Sequence, residues 1–183
     1  IALAAATSPG FASLRHGYIE SLARLNVPET IIVDKMPYNF LFVGFILSAF
    51  PNAKIIHLER DPIATCWSIY KHFFSNKGNG YAYDMGNLAE YYSLYRGLMS
   101  FWRELFPASI YELCYEDLTE SQEEQSRKIL AFCELDWEDQ CLEFYKTERT
   151  VKTASAAQVR QKMYKGSSEA WRKYEKHLKT LIN

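Results

Sequence analysis

The sequence predicts an α/β fold with a parallel sheet flanked by helices, and three observations carry the prediction. Short apolar runs of strand length alternate with longer segments of helical periodicity. The three runs end in Asp34-Lys35, Glu59-Arg60 and Tyr115-Glu116, each just before a helical segment. With 183 residues, 48% of them hydrophobic, the chain suits one domain with a real core.

The elements follow in order. Residues 9–26 read as a helix, with Pro9 and Gly10 near its start and Phe11, Leu14, Tyr18, Leu22 and Leu25 as its apolar positions. "TIIVD" (30–34) is a β-branched run of the kind that forms a buried strand. Residues 38–50 read as a helix ended by Pro51 and Asn52. "AKIIHLE" (53–59) is the next buried strand, and 62–75 the next helix, with Pro62 in the first turn, where a missing N–H costs nothing. "NKGNGYAYD" (76–84) is a loop rich in Gly and Asn. Residues 85–105 make a long amphipathic helix, and "SIYELCY" (109–115) a third strand. Helices are expected over 119–133 and 137–146, then a charged helix over 167–181 with Ser167 or Ser168 as N-cap. Residues 147–165 give no clear pattern.

Composition narrows the function. A net charge of −1 gives no reason to expect a nucleic-acid partner. The charge is uneven: residues 112–143 hold eleven acidic side chains and two basic ones, whereas 160–179 hold seven Lys or Arg and two Glu. The basic segment fits either a solvated helix face or an anion site. The four cysteines have no C-x-x-C pair and no histidine at ligand spacing, which predicts neither a disulfide nor a metal site and suits a reducing, cytoplasmic compartment. The longest apolar run, "NFLFVGFILSAF", is too short to span a bilayer. No secretory leader is visible after Ile1, and a start at Ile rather than Met suggests a piece of a longer chain.

In an open parallel sheet, ligands bind beyond the carboxyl ends of the strands. Arg60 stands there, just before a helix whose N-terminus carries partial positive charge; a guanidinium at that place can grip a phosphate through two hydrogen bonds. Ser68, two turns into that helix, can share the site if the ligand lies along it. Equally, Arg60 could pair with Asp61 or Glu59, leaving Ser68 a tolerated helix residue. Lys35 ends the first run, positioned by Met36-Pro37, and reads as an edge cation or a surface lysine. Tyr115 could wall a nucleotide or cap the core, while Glu116 and Asp117 suit the first turn of a helix. Lys165 and Gly166 precede a Ser-rich helix start, where backbone N–H groups can approach an anion.

Taken together, "DKMPYNF", "FPNAKIIHLERDPIATCWS", "YAYD", "CYEDL", "LAFCELDW" and "TASAAQVRQKMYKGSSEAWRKYEKHL" resemble the sulfotransferases that use 3′-phosphoadenosine 5′-phosphosulfate (PAPS). The likeness runs from about 33 to 178 and is nearest to bacterial sulfotransferases with tetratricopeptide repeats and to tyrosylprotein sulfotransferases. It implies a P-loop-NTPase-like parallel sheet flanked by helices. It implies that Arg60 and Ser68 hold the 3′-phosphate, that Tyr115 lies against the nucleotide, and that Lys165 and Gly166 close over the same phosphate. Ser155 matches a further nucleotide contact. Lys35 resembles the lysine that tyrosylprotein sulfotransferases place on the bridging oxygen of the leaving group, a catalytic role in which a fixed ammonium meets charge as it develops. No metal is implied.

The sequence departs from the family pattern at one point. The loop resembling G-x-P-R-S-G-T-T, which wraps the 5′-phosphosulfate, is absent from 1–183, as is the glutamate general base that follows it. The expectation is therefore a single sulfotransferase domain over 1–183, truncated at its N-terminus, holding the 3′-phosphate half of the site and inactive or nearly so alone. The acceptor would be a hydroxyl on a protein tyrosine, a carbohydrate or a small molecule. The competing reading is a non-catalytic nucleotide- or partner-binding module. A P-loop kinase relative ranks below both, since no G-x-x-x-x-G-K-[ST] occurs.

Overall fold

Residues 9–25, 29–75, 78–147 and 158–182 are described by the computed structural model. The chain divides into two compact units, residues 1–55 with 95–110, and residues 56–94 with 111–183. The described residues are rich in helix, and the two strands among them, β1 (Ile55–Glu59) and β2 (Ile110–Cys114), form one small parallel sheet. A parallel pair needs a long crossover. Here the connection includes α3 (Pro62–Tyr70) and α4 (Met85–Leu105), which follow α1 (Pro9–Ala23) and α2 (Val43–Ala49) along the chain.

In the first unit, Val43, Leu47 and Ile110 form the buried centre, with Ala53, Ile55, Trp102 and Phe106 packed around it. Trp102 is fixed at both ends of its ring system. Its indole N–H donates to the Phe40 carbonyl at 2.9 Å. Its six-membered ring lies so close to Gly44 that a Cβ there would come within 2.8 Å. Helix α1 attaches through Phe11 on Phe45 and Tyr18 on Phe50, with ring centroids 6.0 and 5.4 Å apart. The Tyr18 hydroxyl donates to Asp34 at 3.0 Å.

The helix expected over 38–50 divides into a 3₁₀ segment, Pro37–Phe42, and then α2. Pro37 suits a helix start, and 3₁₀ turns are common there. The strand expected over 30–34 does not form. That segment has no regular secondary structure, and Ile31, Ile32 and Val33 are 56, 42 and 87% exposed. β-branched residues favour extended backbone, but a strand also needs a partner, and β1 and β2 pair with each other.

The second unit holds the start of α4, α3, most of both strands, α5 (Tyr115–Glu120), α6 (Gln122–Phe132) and α7 (Lys179–Ile182). Its core joins Ala64, Trp171 and Leu178 to Ile63, Trp67, Met85 and Leu181, so α3 packs on the C-terminal segment. The sequence predicts full burial of β1, yet Ile56 and Leu58 are 43 and 51% exposed while His57 is 9% exposed. Alternate side chains point to opposite faces, and the described residues cover one face of this strand.

The helix expected over 119–133 breaks at Ser121, whose backbone (φ −134°, ψ 59°) separates α5 from α6. The one expected over 167–181 is a 3₁₀ segment, Ser167–His177, followed by α7. The helix expected over 137–146 is likewise 3₁₀, Asp139–Lys146. Helix α4 matches its expected limits, residues 85–105.

Candidate functional site

The site lies within the second unit and begins where β1 ends. Asp61 is the N-cap of α3; its carboxylate accepts from the Ala64 N–H at 2.7 Å, and Pro62 takes the first turn. Strand end, cap and proline together leave Arg60 at a fixed place beside the helix N-terminus. The Arg60 Nε donates to the Ser168 hydroxyl at 3.0 Å, and Nη2 donates to the Ser167 carbonyl at 2.6 Å. The guanidinium carbon lies 5.1 Å from the centroid of the Tyr115 ring. The hydroxyl of Ser167 donates to that of Tyr115 at 3.1 Å.

These contacts surround a 570 Å³ cleft. Arg60, Ser68, Tyr115, Lys165 and Gly166 all line it, so the structure brings five of the seven sequence-predicted site residues together. Lys71, Trp67, Tyr164 and Trp171 line it as well. Lys35 belongs to the other unit, exposed on the irregular segment before Pro37. Ser155 falls outside the described residues.

Gly166 explains how the chain enters the last wall. At φ +84° it sits in the left-handed region, where a side chain is strained, and it serves as N-cap of the Ser167–His177 segment. Neither Ser167 nor Ser168 therefore caps, contrary to expectation: their hydroxyls reach Tyr115 and Glu116. Lys165, at the same corner, forms an ion pair with Glu120 at 2.5 Å. Trp171 is 5% exposed, and its buried ring N–H has no acceptor among the described residues.

Glu116 is the residue that sequence reasoning treated only as a helix-start acid. Its carboxylate accepts from the Ser168 hydroxyl, from the Asp61 N–H at 3.2 Å and from the Cys114 thiol at 3.3 Å. Burial works against its charge, but the bonds from Ser168, the Asp61 N–H and Cys114 prevail and hold the carboxyl below its ordinary value. The signal was present in "CYEDL", where Glu116 directly follows a strand-end tyrosine. Trp67, beside Ser68, was equally legible as a wall. It packs on Tyr174, ring centroids 4.8 Å apart, and carries the Lys71 ammonium 5.9 Å from its ring.

The cysteines are free. Burial, then the nearby Asp61 charge, pushes the Cys66 thiol up to about 11, so it is a packing residue rather than a nucleophile. On the sheet, outside the cleft lining, His57, Glu59 and Glu112 bring three ligand-type atoms within 4.8 Å of one another, a set able to hold a metal ion. His57 Nδ1 already lies 3.0 Å from Glu112. No helix among the described residues is long and apolar enough to cross a membrane.

Arginine and lysines beside aromatic faces, at a capped helix start, suit a phosphorylated ligand with a planar ring. The sulfotransferase family profile matches residues 3–139, and the chain belongs to the sulfotransferase family, as the motifs suggested. It is 47% identical over 167 residues to an uncharacterized protein of Aquifex aeolicus, covering 90% of this chain and 22% of that one. It is 29% identical over 136 residues to the protein-tyrosine sulfotransferase of Drosophila melanogaster, covering 68% of this chain and 25% of the fly protein. The chain thus spans about a quarter of the length of these curated relatives.

Proposed function

We propose that the chain is part of a PAPS-dependent sulfotransferase and that its cleft holds the 3′-phosphate end of the nucleotide. One observation carries the reading: Arg60, Ser68, Tyr115, Lys165 and Gly166, far apart in sequence, line one 570 Å³ cleft within a family of sulfuryl-transfer proteins. In this reading Arg60 and Lys165 meet the phosphate, Ser68 donates from α3, and Tyr115 and Trp67 flank the adenosine. Gly166 lets backbone N–H groups approach the anion closely.

Lys35 is the proposed electrophilic partner of the leaving group. Sulfuryl transfer is an in-line displacement: the acceptor oxygen forms a bond to sulfur as the bond from sulfur to the phosphate oxygen breaks. Charge grows on that phosphate, and an ammonium there stabilises the transition state more than the ground state. Ser155 is a further proposed nucleotide contact.

The acceptor class is a hydroxyl, on a protein tyrosine, a carbohydrate or a small molecule; the fly relative's name favours tyrosine. We assign the chain, as one domain over 1–183 with a P-loop-NTPase-like sheet, to the tetratricopeptide-repeat and tyrosylprotein branch, acting in the cytoplasm. The reaction as proposed needs no metal.

Calorimetric titration with 3′-phosphoadenosine 5′-phosphate against AMP tests the reading. The expected result is a preference for the 3′-phosphorylated nucleotide of at least about tenfold, the size of one charge-assisted contact. Equal affinities would refute it. Sulfate transfer from PAPS to a tyrosine peptide by the full-length protein separates an enzyme from a module that only binds.

A further inference from the structure

We propose that Glu116 is a positioning residue for this site, holding Ser168, and through it the Arg60 guanidinium, in the arrangement that grips a phosphate. The proposal rests on the nucleotide reading above and adds a residue to it.

The geometry is specific. One carboxylate oxygen of Glu116 accepts both the Ser168 hydroxyl and the Asp61 N–H, while the other accepts the Cys114 thiol. One side chain thereby ties the end of β2, the residue after Arg60 and the segment that follows Gly166. Ser168 is 6% exposed, and its hydroxyl has a single proton to give. That proton goes to Glu116, so an oxygen lone pair faces the Arg60 Nε at 3.0 Å. The Ser167 carbonyl holds Nη2 at 2.6 Å. Both bonds lie along the guanidinium plane and fix it, leaving its other donors for a ligand. Phosphate recognition by arginine depends on that plane being preset.

An acid present only for the helix dipole would act on α5 itself, a part that Asp117 in the same first turn can play. One oxygen of Glu116 is instead spent on donors from α3's cap and from the Ser167–His177 segment, and the other on Cys114. Without Glu116 the Ser168 hydroxyl is free to rotate, the Asp61 N–H loses its acceptor, and the guanidinium loses its fixed support.

The test uses the affinities for 3′-phosphoadenosine 5′-phosphate and for AMP, measured side by side by calorimetry. Glu116→Ala should weaken the 3′-phosphorylated nucleotide about tenfold and leave AMP within about twofold. Glu116→Gln keeps one carbonyl oxygen for Ser168 and the Asp61 N–H, and should retain most of the preference. Ser168→Ala should reproduce the loss, and the double variant should add little, because both residues act on one contact chain. A wild-type ratio in Glu116→Ala, or an equal loss for both nucleotides, overturns the proposal. If Glu116→Ala fails to fold, Ser168→Ala decides: an unchanged ratio there overturns it too. A wild-type protein that does not distinguish the two nucleotides refutes the nucleotide reading itself, before any variant is compared.

Discussion

Two segments of this molecule end an apolar run on a cation, and they are built differently. Arg60 follows a strand that pairs with β2 and precedes a capped helix. Its guanidinium is held by Ser167 and Ser168 and faces Tyr115. Lys35 follows a run that forms no strand and whose Val33 is 87% exposed. Beside it, Asp34 is tied to Tyr18 and Asn39 at 3.0 and 3.3 Å, but the ammonium itself makes no hydrogen bond or ion pair among the described residues. The difference teaches that position at the end of an apolar run does not by itself preorganise a charge. Preorganisation comes from the second layer of groups that fix it, and that layer is dense around Arg60.

Variants can break or sharpen this contrast. The largest effect should come from the core beneath the cleft. Trp171→Ala removes a side chain 5% exposed and packed on Ala64 and Leu178, and should cost about 3–5 kcal/mol of stability. On the Lys35 segment, Val33→Ala should stay within about 0.5 kcal/mol. Urea denaturation midpoints of the two variants measure the gap; equal losses would mean that the Lys35 run is packed as tightly as the cleft.

A smaller effect is expected at the entry to the closing segment. Gly166 has a φ of +84° and nothing within 4 Å of where a Cβ would stand. Gly166→Ala therefore meets no clash and pays only the left-handed backbone cost, about 1–2 kcal/mol. A thermal melt checks this, and a neutral substitution would show that the left-handed turn is dispensable.

The smallest effect concerns Lys165. Its exposed ion pair with Glu120 competes with any bound anion. Glu120→Gln should raise affinity for 3′-phosphoadenosine 5′-phosphate by no more than about fivefold, and the gain should fade as salt screens it. A loss of affinity would place Glu120 among the ligand's supports instead of its competitors.

How much of this was legible in the sequence follows the same division. Helix α4, strands β1 and β2, and the Pro62 helix start could all be read, because periodicity and proline act locally. The motifs also picked out the residues that meet in the cleft: Arg60, Tyr115, Lys165 and Gly166 sit where a strand or loop meets a helix, and Ser68 lies within α3. The 30–34 run was misread because a β-branched stretch says nothing about whether a neighbour comes to pair with it. The 3₁₀ form of Ser167–His177 was missed because its charges and aromatics fit either helix type at nearly the same spacing. Glu116 was seen but given a local role, because its partners Ser168 and Asp61 stand far from it in the chain.

The most direct test compares Arg60→Ala with Lys35→Ala. For each, the affinity for 3′-phosphoadenosine 5′-phosphate is divided by that for AMP. Arg60→Ala should lower the ratio by the equivalent of about 1.5–3 kcal/mol, the value of a hydrogen bond to a charged group. Lys35→Ala should leave the ratio unchanged and slow only sulfate transfer. An Arg60→Ala protein that still prefers the 3′-phosphorylated nucleotide as the wild type does would contradict the account.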